Sequence, residues 1–312
     1  MDRLTETKIV LVVRATRLAD LKTKFATKAQ AEFYVSRLGG DFDDYEREDD
    51  AYQEAIARAR QVLGRLGRVQ VVPRSFLPNF VFGAQDIVVA LGQDGLVANT
   101  LKYLQGQPLL GVNPDPARWD GQLLPFQVPH LEKVIPEVLR GGRPLREVTM
   151  AEAQLNTGLS LCAVNDLFIG PKSHGSARYR IELGKRTENH SSSGVIVSTG
   201  LGSTGWFKSL MAGAEGIALA AGRTDPKPPR DPSFPWEADY LYFTVREPFP
   251  SNTTGTALLF GKITGPQPLV LESQMGENGV IFSDGMEHDF LDFNSGSKAT
   301  ISLAHRKGRL VV

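Results

Sequence analysis

A short apolar run, Lys8–Val13 (KIVLVV), opens the chain, and over the first 140 residues similar runs alternate with longer amphipathic stretches. Thr23–Leu38 reads as a helix that stops at Gly39-Gly40, glycine being a common helix terminator. In Asp50–Leu66, Ala55, Ile56, Ala59, Val62 and Leu63 fall on one face at helical spacing. Arg68–Val72, Asp86–Leu91 and Pro108–Val112 read as further strands, with a helix beginning at Leu96. Unbroken apolar strands of this kind are buried on both faces, as in a parallel sheet. The strand–helix alternation predicts an α/β N-terminal domain with a doubly wound parallel sheet and right-handed crossovers. Asp41–Asp50 (DFDDYEREDD) interrupts the rhythm and reads as a solvated surface segment.

The second half has another rhythm. Leu159–Ile169, Ala177–Leu183, Gly194–Ser198, Tyr240–Val245, Leu269–Leu271, Gly279–Phe282 and Ala299–Ala304 read as strands separated by turn residues. Only Trp206–Ala221 is a substantial helix. Strands at short intervals predict a mainly antiparallel β-sandwich C-terminal domain. The boundary falls between Leu131 and Thr149, giving domains over about 1–140 and 141–303. Proline-rich Asp225–Trp236 reads as an exposed loop suited to an interface. There is no internal repeat.

Composition narrows the functional classes. The chain has 312 residues with 35 basic and 35 acidic side chains, so its net charge is zero. A nucleic-acid partner or an anionic membrane surface would call for a basic excess. Cys162 is the only cysteine, which excludes a disulfide within the chain. The five histidines (130, 174, 190, 288 and 305) lack metal-ligand spacing, so no protein ligand to a metal is assigned. No run reaches the ~18 apolar residues of a membrane span. An N-terminus carrying Asp2 and Glu6 is unlike a signal or transit peptide, and the expected location is cytoplasmic.

Three segments hold candidate chemistry. Gly92-Gln93-Asp94-Gly95 closes the apolar run Ile87–Leu91, and ligands of open α/β sheets gather beyond the carboxyl ends of strands. Asp94 is either a carboxylate placed for chemistry or a cap on the following helix. Asn165-Asp166 interrupts an apolar strand, where polar side chains need partners. Those partners come either from a ligand or from nearby backbone at a bulge. Gly200-Leu201-Gly202-Ser203-Thr204-Gly205 matches GxGxxG between a strand and a helix. It comes late in the chain, and Asp225 downstream lies in a proline-rich loop. The looser reading is a helix N-terminus with hydroxyls suited to phosphate or ribose. Trp206 serves either as core or as a ligand platform.

Together and in this order, these segments resemble the NAD kinase family, whose signatures are a GGDG loop, an Asn-Glu pair and a TPTGSTAY-like segment opening a helix. The variants Gly111-Val112-Asn113-Pro114-Asp115-Pro116, Ser192-Ser193-Gly194, Trp206 and Val245-Arg246-Glu247-Pro248 look closest to the mitochondrial-type branch. The similarity spans Asp86 to Ser209 and extends weakly to Ser283-Asp284-Gly285. It implies an α/β nucleotide-binding domain rejoined by the tail (about 304–312), an all-β NAD-binding domain, and a site in the cleft between them. The implied reaction moves the γ-phosphoryl group of ATP to the adenosine 2′-hydroxyl of NAD, with Mg2+ accompanying ATP and polyphosphate as a second donor. By the same resemblance Asp94 is the catalytic carboxylate, and Gly92, Gln93 and Gly95 bind phosphate. Asn165, Asp166, Thr199, Gly202, Ser203, Thr204 and Trp206 bind NAD. A homodimer or higher homo-oligomer is expected.

The chain departs from the family pattern at three places. Gln93 stands for the second glycine of GGDG, Asp166 for Glu, and Leu96 for a frequent Thr. Other readings are a dinucleotide-binding sensor that has lost phosphoryl transfer, a related kinase acting on a lipid or sugar, and a hydride-transferring oxidoreductase.

Overall fold

A computed structural model describes residues 3–222 and 232–312. By internal contacts the chain divides into two units, 1–146 with 309–312, and 147–308.

Unit 1 is built on parallel strands. Its elements in chain order are β1 (Lys8–Val13), α1 (Arg17–Phe25), α2 (Lys28–Arg37), α3 (Phe42–Leu66), β2 (Arg68–Pro73), β3 (Ile87–Leu91), α4 (Asp94–Leu101), β4 (Pro108–Asn113), β5 (Phe126–Gln127) and α5 (Leu131–Leu139). The strand order is β4-β3-β1-β2, every pair parallel, with β5 pairing the end of β4 on the edge away from β3. Alternate residues of the buried strands serve opposite faces. Ile9, Leu11, Ile87 and Val89 pack under Tyr52, Ala55, Ala59 and Leu63 of α3 and Leu131, Val134 and Ile135 of α5, while α4 packs against β3 and β4.

Two sequence expectations are corrected here. Thr23–Leu38 is not one helix: α1 ends at Ala26, in the left-handed conformation at φ 62°, and α2 starts afresh from a Thr27 cap accepting the Gln30 N–H. Asp41–Asp50 is not a detached surface segment either. Asp41 caps α3, its carboxylate accepting the Asp44 N–H, and the acidic stretch forms the first turns of that 25-residue helix. Phe42 and Glu48 are buried. Carboxylates at a helix N-terminus are favoured by the helix dipole, which an apolar-pattern reading ignores.

Unit 2 continues with β6 (Leu145–Leu155), β7 (Ser160–Ala163), β8 (Asp166–Pro171), β9 (Ala177–Leu183), β10 (Arg186–Ser192), β11 (Val195–Ser198), α6 (Trp206–Ala220), β12 (Tyr240–Val245), β13 (Phe260–Thr264), β14 (Leu269–Ser273), β15 (Gly279–Ser283), β16 (Met286–Asp292) and β17 (Lys298–Val311). One antiparallel sheet runs β13-β12-β11-β8-β15-β16. A second orders β10-β9-β14-β17, with β6 joining β17 and β7. Residues of both sheets form one core, in which Leu167, Ile169, Val195, Val197 and Phe243 meet Ile181, Leu269, Leu271 and Ile301. Arg309 and Leu310, at the end of β17, belong to unit 1 and pair in parallel with Pro108 and Leu109 of β4.

The expected strand Leu159–Ile169 is in fact two, β7 and β8, broken at Val164-Asn165. The expected loop Asp225–Trp236 lies outside the described residues through Asp231. From Pro232 onward it has no helix or strand, and the Phe234 side chain is buried.

Candidate functional site

In unit 1 the carboxyl ends of β1, β3 and β4 are clamped together by α3. The Tyr52 hydroxyl donates to the Leu91 carbonyl at 2.6 Å and accepts the Arg14 N–H at 3.0 Å. Buried Glu48 holds Arg14 at 2.8 Å and also binds Arg17. Asp44 binds Arg17 at 2.7 Å and, in the loop after β4, Arg118 at 2.6 Å. Burial alone would raise the Glu48 carboxyl, but hydrogen bonds from Arg14 and Arg17 outweigh it and hold the group below its ordinary value. Hydrogen bonds from Arg118 and Arg17 hold Asp44 far below the usual range.

Within this frame Gln93 is the N-cap residue of α4, and its side chain makes no capping bond. Asp94 is therefore the first helical residue and not the cap. Its carboxylate leaves the helix and accepts the backbone N–H of Leu123 at 2.8 Å and of Gln122 at 3.2 Å. Those donors lie in the loop after β4, which Asn113 shapes by donating to the Trp119 carbonyl and accepting the Asp115 N–H. A Cβ on Gly111 would strike the Leu123 carbonyl at 1.8 Å, so glycine is what lets the loop lie against β4. Gly92 packs against Leu96, whereas a Cβ on Gly95 would meet open space.

Unit 2 assembles the other candidate residues around one carboxylate. Asp284 sits in the turn between β15 and β16 at φ 52°, ahead of Gly285 at φ 67°. It accepts the N–H groups of Val164, Asn165 and Asp166, the shortest being 2.7 Å to Asn165. This fixes the break between β7 and β8. From the other side the Thr199 hydroxyl donates to the carbonyls of Val164 and Asn165 and accepts the Gly202 N–H. A Cβ on Gly202 would lie 2.0 Å from the Asn165 carbonyl oxygen. The Ser203 hydroxyl donates to the Gly200 carbonyl and accepts the Phe234 N–H. Thr199, Gly202 and Ser203 thus build the loop that meets Asn165, with both hydroxyls buried and committed to backbone. Thr204 is exposed.

Asn165 and Asp166 differ from these: among the described residues their side chains have no hydrogen-bond partner. Asp166 lines a pocket of about 200 Å³ with Phe168, Trp206, Phe282, Asp284, Gly285, Met286 and Glu287. Phe168 stacks on Trp206 at 6.0 Å and on Phe282 at 6.3 Å, and the Arg246 guanidinium lies 5.4 Å from the Trp206 ring centre. Burial, and then the neighbouring Asp284, push the Asp166 carboxyl up to about 7. An ionisable group among flat aromatic walls in one concavity suits a polar ligand with a planar ring, and the neighbouring residue Asn165 carries an uncommitted amide. Phe168 and Phe282 were invisible as site residues in the sequence because they occupy ordinary strand positions. Asp284 carried a weak signal only, as an Asp-Gly turn.

No family model matches the sequence, and no curated protein matches it. Solved structures do share the fold. An NAD kinase from Archaeoglobus fulgidus in complex with ATP superposes with a TM-score of 0.59 at 15% identity, covering 98% of this chain and 94% of that one. A yeast NADH kinase complexed with NADH gives 0.56 at 16%, covering 99% and 84%. The α/β and antiparallel architecture is that of these kinases.

Proposed function

We propose that this chain is an NAD kinase, transferring the γ-phosphoryl group of ATP to the adenosine 2′-hydroxyl of NAD to give NADP. The observation that carries the reading is the Asp284 junction. It holds Asn165-Asp166 beside the aromatic pocket of Trp206, with both polar side chains unpartnered among the described residues. Asn165 would donate and accept hydrogen bonds on the adenosine part of the dinucleotide, Asp166 would accept from ribose hydroxyls, and Trp206 would stack on the base. The fold likeness to an NAD kinase and an NADH kinase supports the same direction. The variants at Gly111–Pro116, Ser192–Gly194, Trp206 and Val245–Pro248 favour the mitochondrial-type branch.

A ribose hydroxyl is a weak nucleophile near neutral pH, so a positioned carboxylate must take or direct its proton. Asp94 fills that role in the reading, its direction set by the Gln122 and Leu123 N–H groups. Phosphoryl transfer otherwise requires alignment and neutralisation of charge. Gly92 and Gly95 would leave room for phosphate at the end of β3, and Gln93 would add a side chain there. Mg2+ would be held on the ATP phosphates, as it commonly is in kinases. The protein's part is to place the donor and the hydroxyl.

Gln93 and the double commitment of Asp94 favour one second reading, a dinucleotide-binding protein without transfer. Incubation with NAD, ATP and Mg2+, then with polyphosphate and with NADH, separates the two. NADP formation supports the kinase, and tight binding of NAD without product supports the sensor. Among the described residues no helix is long and apolar enough to cross a membrane. The working site is taken to be the cytoplasm.

A further inference from the structure

Three residues of β8 share the outer face of their sheet. Side chains alternate along a strand, and Leu167 and Ile169 belong to the core between the sheets. That leaves Asp166, Phe168 and Gly170 on the other side. Phe168 therefore has Asp166 two residues before it and Gly170 two residues after it. Its ring can stand beside Asp166 or lean along the strand.

Two glycines decide which. A Cβ on Gly170 would lie 2.7 Å from Phe168 Cζ, and a Cβ on Gly194 would lie 2.7 Å from Phe168 Cε2. Both distances are shorter than carbon contacts allow, so the far edge of the ring fills a notch that only bare backbone leaves open. Gly194 directly precedes β11, whose Val195 pairs with Ile169, so the notch spans two neighbouring strands. The φ of 109° at Gly194 is a second reason for glycine there. Gly170 has no positive φ, and its other close neighbour is the Gly194 Cα at 3.1 Å.

Leaning over Gly170 carries the ring away from Asp166, and the space it vacates belongs to the pocket of about 200 Å³ that both residues line. The reclined ring lies within 18° of parallel to Trp206 and to Phe282. Gly194 also fixes the cation beside Trp206, because its carbonyl accepts the Arg246 N–H at 2.8 Å. We infer that Phe168 is a further contact residue for the base of the dinucleotide, held reclined by Gly170 and Gly194 as positioning residues. A side chain at either glycine would return the ring towards Asp166 and narrow the pocket against a planar base. The inference rests on the dinucleotide reading of this pocket and adds the residues that set what it admits.

Calorimetric titration with NAD and with adenosine tests this on the full-length wild type, Gly170→Ala, Phe168→Ala and the double variant. Gly170→Ala should weaken both ligands roughly ten- to hundredfold, the effect of one carbon too many in a pocket. In kinetic assays the loss should appear in the KM for NAD and not in kcat. Phe168→Ala removes a stacking ring and should weaken both ligands about three- to tenfold. In the Phe168→Ala background, Gly170→Ala should cost nothing further, since its methyl group then has no ring to displace. Losses that multiply in the double variant would show that Gly170 does not act through Phe168 and would overturn the inference. Unchanged affinity in Phe168→Ala would overturn it too, a test that stands even where Gly170→Ala alone fails to fold. Wild-type protein that binds NAD without forming NADP would remove the kinase reading, while the affinities of the variants still confirm or overturn this one. Wild-type protein that binds neither ligand would overturn both.

Discussion

The Asp284 carboxylate accepts the Asn165 N–H at 2.7 Å, and the Asp284 N–H donates back to the Asp166 carbonyl at 3.1 Å. This reciprocal pair turns a strand break into a fixed presentation of two polar side chains. Asp284→Ala should remove a charged acceptor shared by three N–H groups, at a cost of about 2–4 kcal/mol. Thermal melting measures that loss, and the KM for NAD should rise with it. An unchanged melting temperature would mean that the junction holds without Asp284.

Asp166 gives a pH signature. Its carboxyl titrates near 7 in the fold against an ordinary 3.8, raised by burial and then by Asp284. The folded state therefore keeps a proton that the unfolded chain releases from about pH 4 upward. Stability should fall as pH rises from about 4 to about 7 and level off above, by at most about 4 kcal/mol. Asp166→Asn should raise the melting temperature at pH 8 and leave it unchanged at pH 4. The same titration should make NAD bind more tightly as pH rises through 7, if the ionised carboxylate receives the ribose hydroxyls. Parallel melting curves for both proteins at every pH would contradict this.

Glu48 has the opposite sign. Arg14 and Arg17 outweigh its burial and keep its carboxyl below the ordinary value, so its contribution is present at neutral pH and lost as pH falls through the folded pKa. Glu48→Gln leaves two arginines around a neutral amide and should cost about 2–4 kcal/mol. Chemical denaturation at pH 7 measures it. A loss that persists undiminished at low pH would assign the effect to packing instead of charge.

How much of this was readable in the residues varies with the kind of force involved. The parallel strands, the apolar face of α3 around Ala55, Ala59 and Leu63, and the antiparallel second half followed from hydrophobic period alone. The acidic run before Ala55 is not legible as helix from hydrophobic period, because a polar cap at Asp41 opens it and its ion pairs, Asp44 to Arg17 and Arg118 and Glu48 to Arg14 and Arg17, join residues far apart in the chain. The break at Asn165 was likewise set by Asp284, more than a hundred residues downstream. Asp94, Asn165 and Asp166 could be picked out locally, as polar residues in apolar or glycine-rich surroundings. Phe168 and Phe282 could not, since an aromatic in a strand has the same pattern whether it lines a pocket or fills a core.

Gln93 tests the phosphate loop without disturbing the fold. It is an N-cap residue whose side chain makes no cap bond, and glycine is tolerated at such positions at a cost of a few tenths of a kcal/mol. Gln93→Gly should raise turnover or widen the choice of donor from ATP to polyphosphate, at unchanged melting temperature. Identical kinetics with both donors would show that the Gln93 side chain points away from the phosphates.

The most direct measurement compares the wild-type protein with Asp94→Asn for NADP formed from NAD, ATP and Mg2+, with NAD affinity measured on both by calorimetry. Product from the wild type, its loss in Asp94→Asn, and NAD affinities within a few-fold of each other are the expected results. Equal product from both proteins, or none from the wild type despite bound NAD, would contradict Asp94 as the carboxylate of a working kinase.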